Sequence, residues 1–156
     1  MQDRLITPSQ LALFSRSPVI GAWWEEVHAT NPERAPRPAT KALDQLLFDA
    51  GLEHEKVLIR RLNDQGKTVA ELRGKQDDCD YDATEAAMRS GADYIWQASL
   101  RNNEMRGSAD LLERIEQPSN LGGWSYIPIE CKLSSHPKPI YLVQACAYCE
   151  LLTPIL

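Results

Sequence analysis

A chain of 156 residues, 43% of them hydrophobic, is long enough for one compact domain with a full core. Its formal charge of -5 and pI near 5.2 argue against a generic nucleic-acid coat protein, which carries a basic excess. No apolar run is long enough to span a bilayer and no charged-then-apolar leader opens the chain, so a cytoplasmic protein is expected, with Cys79, Cys131, Cys146 and Cys149 mostly reduced.

Thr7-Pro8-Ser9-Gln10 marks a helix start: Thr7 can cap, Pro8 suits the first helical position, and Gln10 completes a capping box. Leu11, Leu13 and Phe14 give this helix an apolar face, and Ser17-Pro18 ends it. A second helical piece carries Trp23-Trp24, for which core or rim packing is favoured over stacking on bases. Residues 28–41, with Pro32, Pro36 and Pro38, read as a loop. Leu43, Leu46, Leu47, Ala50, His54, Val57, Leu58 and Arg61 then follow the spacing of one buried helical face, with His54 on the stripe. On such a stripe a lone histidine is by default a hydrogen-bonded core residue; it becomes a ligand candidate if Asp110 and Glu130 lie opposite.

Lys67 to Leu72 reads as a short strand or edge segment. Asp77, Asp78, Asp80 and Asp82 suggest a solvated turn, since their spacing does not fit an EF-hand. A helix starts at Asp82 or Thr84 and stops at Gly91, and Tyr94 to Leu100 is a strand. From Met105 to Leu133 two β-prone segments flank the turn Gln117-Pro118-Ser119-Asn120-Leu121-Gly122-Gly123, which predicts a hairpin. In its second strand Glu130 and Lys132 share a face, with Ile127, Ile129 and Cys131 on the other. Asp110 on the partner strand would then bring two carboxylates and an ammonium into one small volume. Two carboxylates so close repel, and a divalent cation with hard oxygen ligands removes the conflict. The bland reading of Glu130 and Lys132 is an ordinary ion pair. Last comes a helix with Ile140, Val143, Ala147 and Leu151 buried, and with Gln144 and Tyr148 sharing a face. Cys146 and Cys149 have no partners at zinc-site spacing and are read as buried thiols.

Taken in order, these pieces resemble the RecB-like branch of the PD-(D/E)XK nuclease superfamily, which includes exonucleases associated with CRISPR adaptation. His54 stands in Gly51-Leu52-Glu53-His54-Glu55, where that family places its motif histidine. Gly107-Ser108-Ala109-Asp110 matches the G-x-x-D strand, Glu130-Cys131-Lys132 matches E-x-K, and Gln144 to Tyr148 matches the Q-x-x-x-Y helix. Ser9, Leu11, Phe14, Ser17 and Pro18 resemble the family's opening, except that Ser17 stands where iron–sulfur members carry their first cluster cysteine. A serine cannot replace a thiolate there, so no cluster is expected.

The resemblance implies an α/β fold with a restriction-endonuclease-like core, a mixed sheet flanked by helices, and one nuclease domain over residues 1–156 with room for a further domain or a helicase partner. It implies a Mg²⁺- or Mn²⁺-dependent deoxyribonuclease in repair, recombination or defence, acting on a DNA strand or end. Asp110, Glu130, the Cys131 backbone carbonyl and His54 would ligate the metal. Lys132 would orient or deprotonate the attacking water, and Gln144 and Tyr148 would line the DNA groove or brace Lys132. The acidic balance leaves room for this, because such a site itself consumes carboxylates. Two other classes stay open: a catalytically silent nuclease-fold module of a larger repair enzyme, and a small regulatory protein binding a soft metal through cysteine and histidine.

Overall fold

The first helix begins where its sequence asks. A computed structural model describes residues 5–31, 33–34, 42–72, 80–134, 136 and 138–156, with α1 spanning Pro8–Arg16. The Gln10 N–H donates to Thr7 Oγ1 at 3.2 Å and the Thr7 N–H donates to Gln10 Oε1 at 2.8 Å, closing the capping box. After Ser17, α2 (Pro18–Thr30) carries Trp23, whose side chain is half exposed. The expected loop thus starts at Asn31 rather than His28; Pro32, Pro36, Pro38 and the side chain of Trp24 lie outside the described residues.

The long helix α3 (Ala42–Asp64) is present, but its buried face is not the one the periodicity suggested. Leu43, Leu46 and Leu47 are exposed by 64%, 64% and 53%, and His54 and Arg61 also face solvent. The docked side chains are Leu52, Leu58, Ile59 and Leu62, packed with Trp96, Leu111 and Ile129. The contact face is therefore turned by about one residue, roughly 100°. A stripe that counts the first turns of the helix is misled because, among the described residues, those turns stay exposed. The turn brings Glu55 to the sheet and sends His54 outward.

Next come β1 (Val69–Glu71), α4 (Tyr81–Ser90), β2 (Tyr94–Arg101), β3 (Arg106–Ile115), β4 (Ser125–Ile129) and α5 (Pro139–Leu152). Asp80 caps α4 by accepting the Ala83 N–H at 2.8 Å, and Gly91, at φ 74°, ends it in the left-handed conformation that glycine adopts without penalty. Asp77, Asp78 and Cys79 lie outside the described residues. The architecture is α/β: a four-stranded mixed sheet in the order β1-β2-β3-β4, flanked by helices. β1 pairs with β2 in parallel, and the expected hairpin of β3 and β4 joins β2 in an antiparallel meander. β4 is an edge strand, which is why Pro128 is tolerated within it. It ends at Ile129, short of the expected Leu133, and Ile127 is 40% exposed rather than packed.

One core cluster joins Met88 of α4 and Tyr148, Leu151 and Leu152 of α5 to Ile95, Ala98, Leu100, Ala109, Leu112 and Tyr126 of the sheet. Each fully buried leucine or isoleucine there contributes about 1.5–3 kcal/mol. The second cluster is the α3 face. Membership of the two clusters reveals a break in the sheet. Ile95 and Ala98 lie in one cluster with Trp96 in the other, and Ala109 and Leu112 lie in one cluster with Leu111 in the other. Regular alternation would put residues three apart on opposite faces. The reset occurs at Gln97, whose φ of 58° is left-handed. The flanking pairs Trp96↔Leu111 and Ala98↔Ala109 place Gln97 directly across from Asp110.

On α5, Ala147 and Leu151 are buried as expected, whereas Cys146 and Cys149 are exposed, on the side turned from the core. Among the described residues, no helix is long and apolar enough to cross a membrane.

Candidate active site

β3 and β4 part just beyond the pair Leu111↔Ile129, so Asp110 and Glu130 face each other where the ladder ends. The Cys131 N–H donates to Asp110 Oδ2 at 2.9 Å, which fixes the aspartate across the opening. Lys132 Nζ then meets Glu130 Oε1 at 2.6 Å and Asp110 Oδ2 at 3.3 Å. One ammonium bridges two carboxylates, with side-chain exposures of 33% for Lys132, 19% for Asp110 and 12% for Glu130.

Burial raises the pKa of Glu130, and the charges of Asp110 and Glu55 add to it against the hydrogen bond and charge of Lys132. Burial pushes the Lys132 ammonium down, but the Glu130 hydrogen bond and the charges of both carboxylates outweigh it, and the net shift is upward. As the site stands, Lys132 is a held cation rather than a ready base. Burial, with the charges of Asp110 and Glu55, pushes the Cys131 thiol up to about 11, so it stays protonated and unreactive at neutral pH.

The structure thus brings together Asp110, Glu130, Cys131 and Lys132. His54 is on the outer side of α3, and among the described residues no hydrogen bond or ion pair reaches it. The carboxylate that α3 does present is Glu55, whose Oε2 accepts from Trp96 Nε1 and from Gln97 Nε2, both at 2.8 Å. Glu55 was legible in principle, because Leu52, Glu55, Ile59 and Leu62 also keep helical spacing. Gln97 had no signal at all: nothing in a β-prone run announces a left-handed glutamine.

Among the described residues, no hydrogen bond joins Gln144 or Tyr148 to Lys132. Gln144 Nε2 donates to Ser9 Oγ at 3.1 Å, tying α5 to α1. The buried Tyr148 hydroxyl donates to the Ser108 carbonyl at 2.6 Å, bracing β3 two residues before Asp110. Burial raises the Tyr148 pKa, with the Glu130 and Asp110 charges adding to it. Gly107 makes this junction possible: a Cβ there would stand 2.8 Å from Pro8 Cδ and 3.1 Å from Tyr148 Cε1.

Among the described residues, no three His, Cys, Asp or Glu side chains form a ready ion-holding group. The donor chemistry nevertheless fits a hard dication. Two carboxylates outnumber the single ammonium, and among the described residues no hydrogen bond ends on Asp110 Oδ1 or Glu130 Oε2. Mg²⁺ needs little more, because it usually takes one or two carboxylates and keeps several waters. Comparison with protein-family models, curated proteins and solved structures found no match to this chain.

Proposed function

We propose that the protein is a metal-dependent nuclease of the PD-(D/E)XK type, with a restriction-endonuclease-like core, that hydrolyses phosphodiester bonds in DNA strands or ends. One observation carries the reading. Asp110 of β3 converges with Glu130 and Lys132, just past the end of β4, where the ladder opens, and a lysine bridging two carboxylates is a grouping suited to holding a hydrated dication and its water for phosphodiester hydrolysis.

Asp110 and Glu130, with the Cys131 carbonyl, would hold Mg²⁺ or Mn²⁺. When bound, the cation lowers the pKa of a coordinated water and offsets charge on the scissile phosphate. The chain's own residues do the rest. The Cys131 N–H keeps Asp110 aimed at the opening. Lys132, held protonated by its two partners, orients the water and pairs with the charge that develops on the phosphate. Tyr148 steadies the strand that carries Asp110, and Gln144 with Ser9 forms the adjoining wall against which a DNA backbone would lie.

The test is incubation with end-labelled single- and double-stranded DNA in Mg²⁺, Mn²⁺ or EDTA, beside calorimetric titration of Mn²⁺. Cleavage should require the metal. Glu130→Ala should lose both metal affinity and cleavage, and Lys132→Ala should lose about 10²–10³-fold in rate while still binding Mn²⁺. An ion trio that only stabilises the fold predicts the opposite. In that case Lys132→Ala changes stability and leaves any cleavage untouched, and the nuclease reading falls.

A further inference from the structure

We propose that Gln97 is a positioning residue that holds the Glu55 carboxylate beside the Asp110–Glu130 pair, making Glu55 the third acidic group of the site; this rests on the nuclease reading above. Three observations converge on it. Gln97 stands across from Asp110, between the pairs Trp96↔Leu111 and Ala98↔Ala109. Its φ of 58° is one that a residue with a Cβ rarely adopts inside a strand, and such conformations persist only where the surroundings enforce them. Its side-chain amide spans two elements. Nε2 donates to Glu55 Oε2 of α3 at 2.8 Å, and Oε1 accepts from the Ser108 hydroxyl of β3 at 3.4 Å.

The left-handed turn has a clear geometric effect. It resets the alternation of β2, so that Trp96 and Gln97, consecutive residues that a regular strand would aim at opposite faces, both donate to the same Glu55 oxygen. Two donors fix that carboxylate, and among the described residues no hydrogen bond ends on its other oxygen, Oε1. Gln97 stands across from Asp110 in the β2–β3 register, so the carboxylate it holds borders the same opening. Held there, it deepens the negative field that attracts a dication. Released, it is a surface side chain on α3.

The experiment titrates Mn²⁺ calorimetrically into the full chain and into Gln97→Gly, Gln97→Ala, Glu55→Gln and the double variant Glu55→Gln with Gln97→Gly, with urea midpoints for each. Partners that orient metal-site groups are worth about 10–100-fold in affinity, so Gln97→Gly and Gln97→Ala should each weaken Mn²⁺ by about tenfold. Gln97→Gly should do so while holding or raising the urea midpoint, because glycine accepts the φ that glutamine must be forced into. The double variant should lose no more than Glu55→Gln alone, the signature of one residue acting through the other. Asp110→Asn, titrated alongside, keeps the two ideas apart. If Asp110→Asn abolishes Mn²⁺ binding while Gln97→Gly binds like the wild type, or if the double variant's losses multiply, the positioning role is overturned and the nuclease reading stands. A wild-type protein that binds no Mn²⁺ overturns both.

Discussion

A one-residue difference on α3 separates two accounts of the site. His54 has the chemistry of a ligand but faces solvent, whereas Glu55 turns to the sheet and accepts from Trp96 and Gln97. His54→Ala should therefore leave Mn²⁺ affinity within about twofold of wild type, since surface substitutions away from bonded networks change little. Glu55→Gln should weaken it by an order of magnitude. A matched pair of titrations reads this directly, and the reverse order would restore the histidine to the site. Gly107 offers a second single-residue test. Gly107→Ala pushes a methyl group into Pro8 and Tyr148, which overpacks the junction of α1, β3 and α5. A loss of about 1–3 kcal/mol in urea unfolding is expected. What the sequence disclosed at this scale follows from how local the cause is. The Thr7 box and the Gly91 stop need only their neighbours. The choice between His54 and Glu55 depends on which turns of α3 find a partner, and the sheet decides that.

At the scale of elements, the four strands and five helices among the described residues follow from turn chemistry and periodicity that the chain carries openly. The interruption at Gln97 does not, because the left-handed φ is imposed by contacts across three elements. The exposed cysteines of α5 and the outward Ile127 have the same origin: each lies on an element whose existence is local but whose rotation is tertiary. The join between β4 and the turn that follows α4 can be tested by pH. The buried Tyr126 hydroxyl donates to the Ala92 carbonyl at 2.7 Å, and burial pushes its pKa from 10.0 up to about 12. A group whose folded pKa is raised stabilises fully below the unfolded value and loses that contribution as pH climbs to the folded one. Stability from Tyr126 should thus be intact below pH 10.0 and fall away toward about 12. Urea midpoints at pH 9 and pH 11, on the order of one unit either side of the free phenol value, should fall more for the wild type than for Tyr126→Phe.

For the molecule as a whole, stability is unevenly spread along α3. Among the described residues, its first turns stay open to solvent, with Leu46 and Phe48 exposed by 64% and 62%, whereas Ile59 and Leu62 are locked against Trp96 and Leu111. Amides near Phe48 should exchange with solvent far faster than those near Ile59. Phe48→Ala should cost under about 0.5 kcal/mol, against about 2–5 kcal/mol for Ile59→Ala. The bond between Ser9 and Gln144 joins residues 135 positions apart, and α1 takes α5 as its packing partner. On the ribosome, then, the meander with its two carboxylates and lysine emerges before the helix that fastens the start of the chain beside them. Docking of α1 on α5 therefore waits until Gln144 has been made, so the last helix closes a contact that the first one opens.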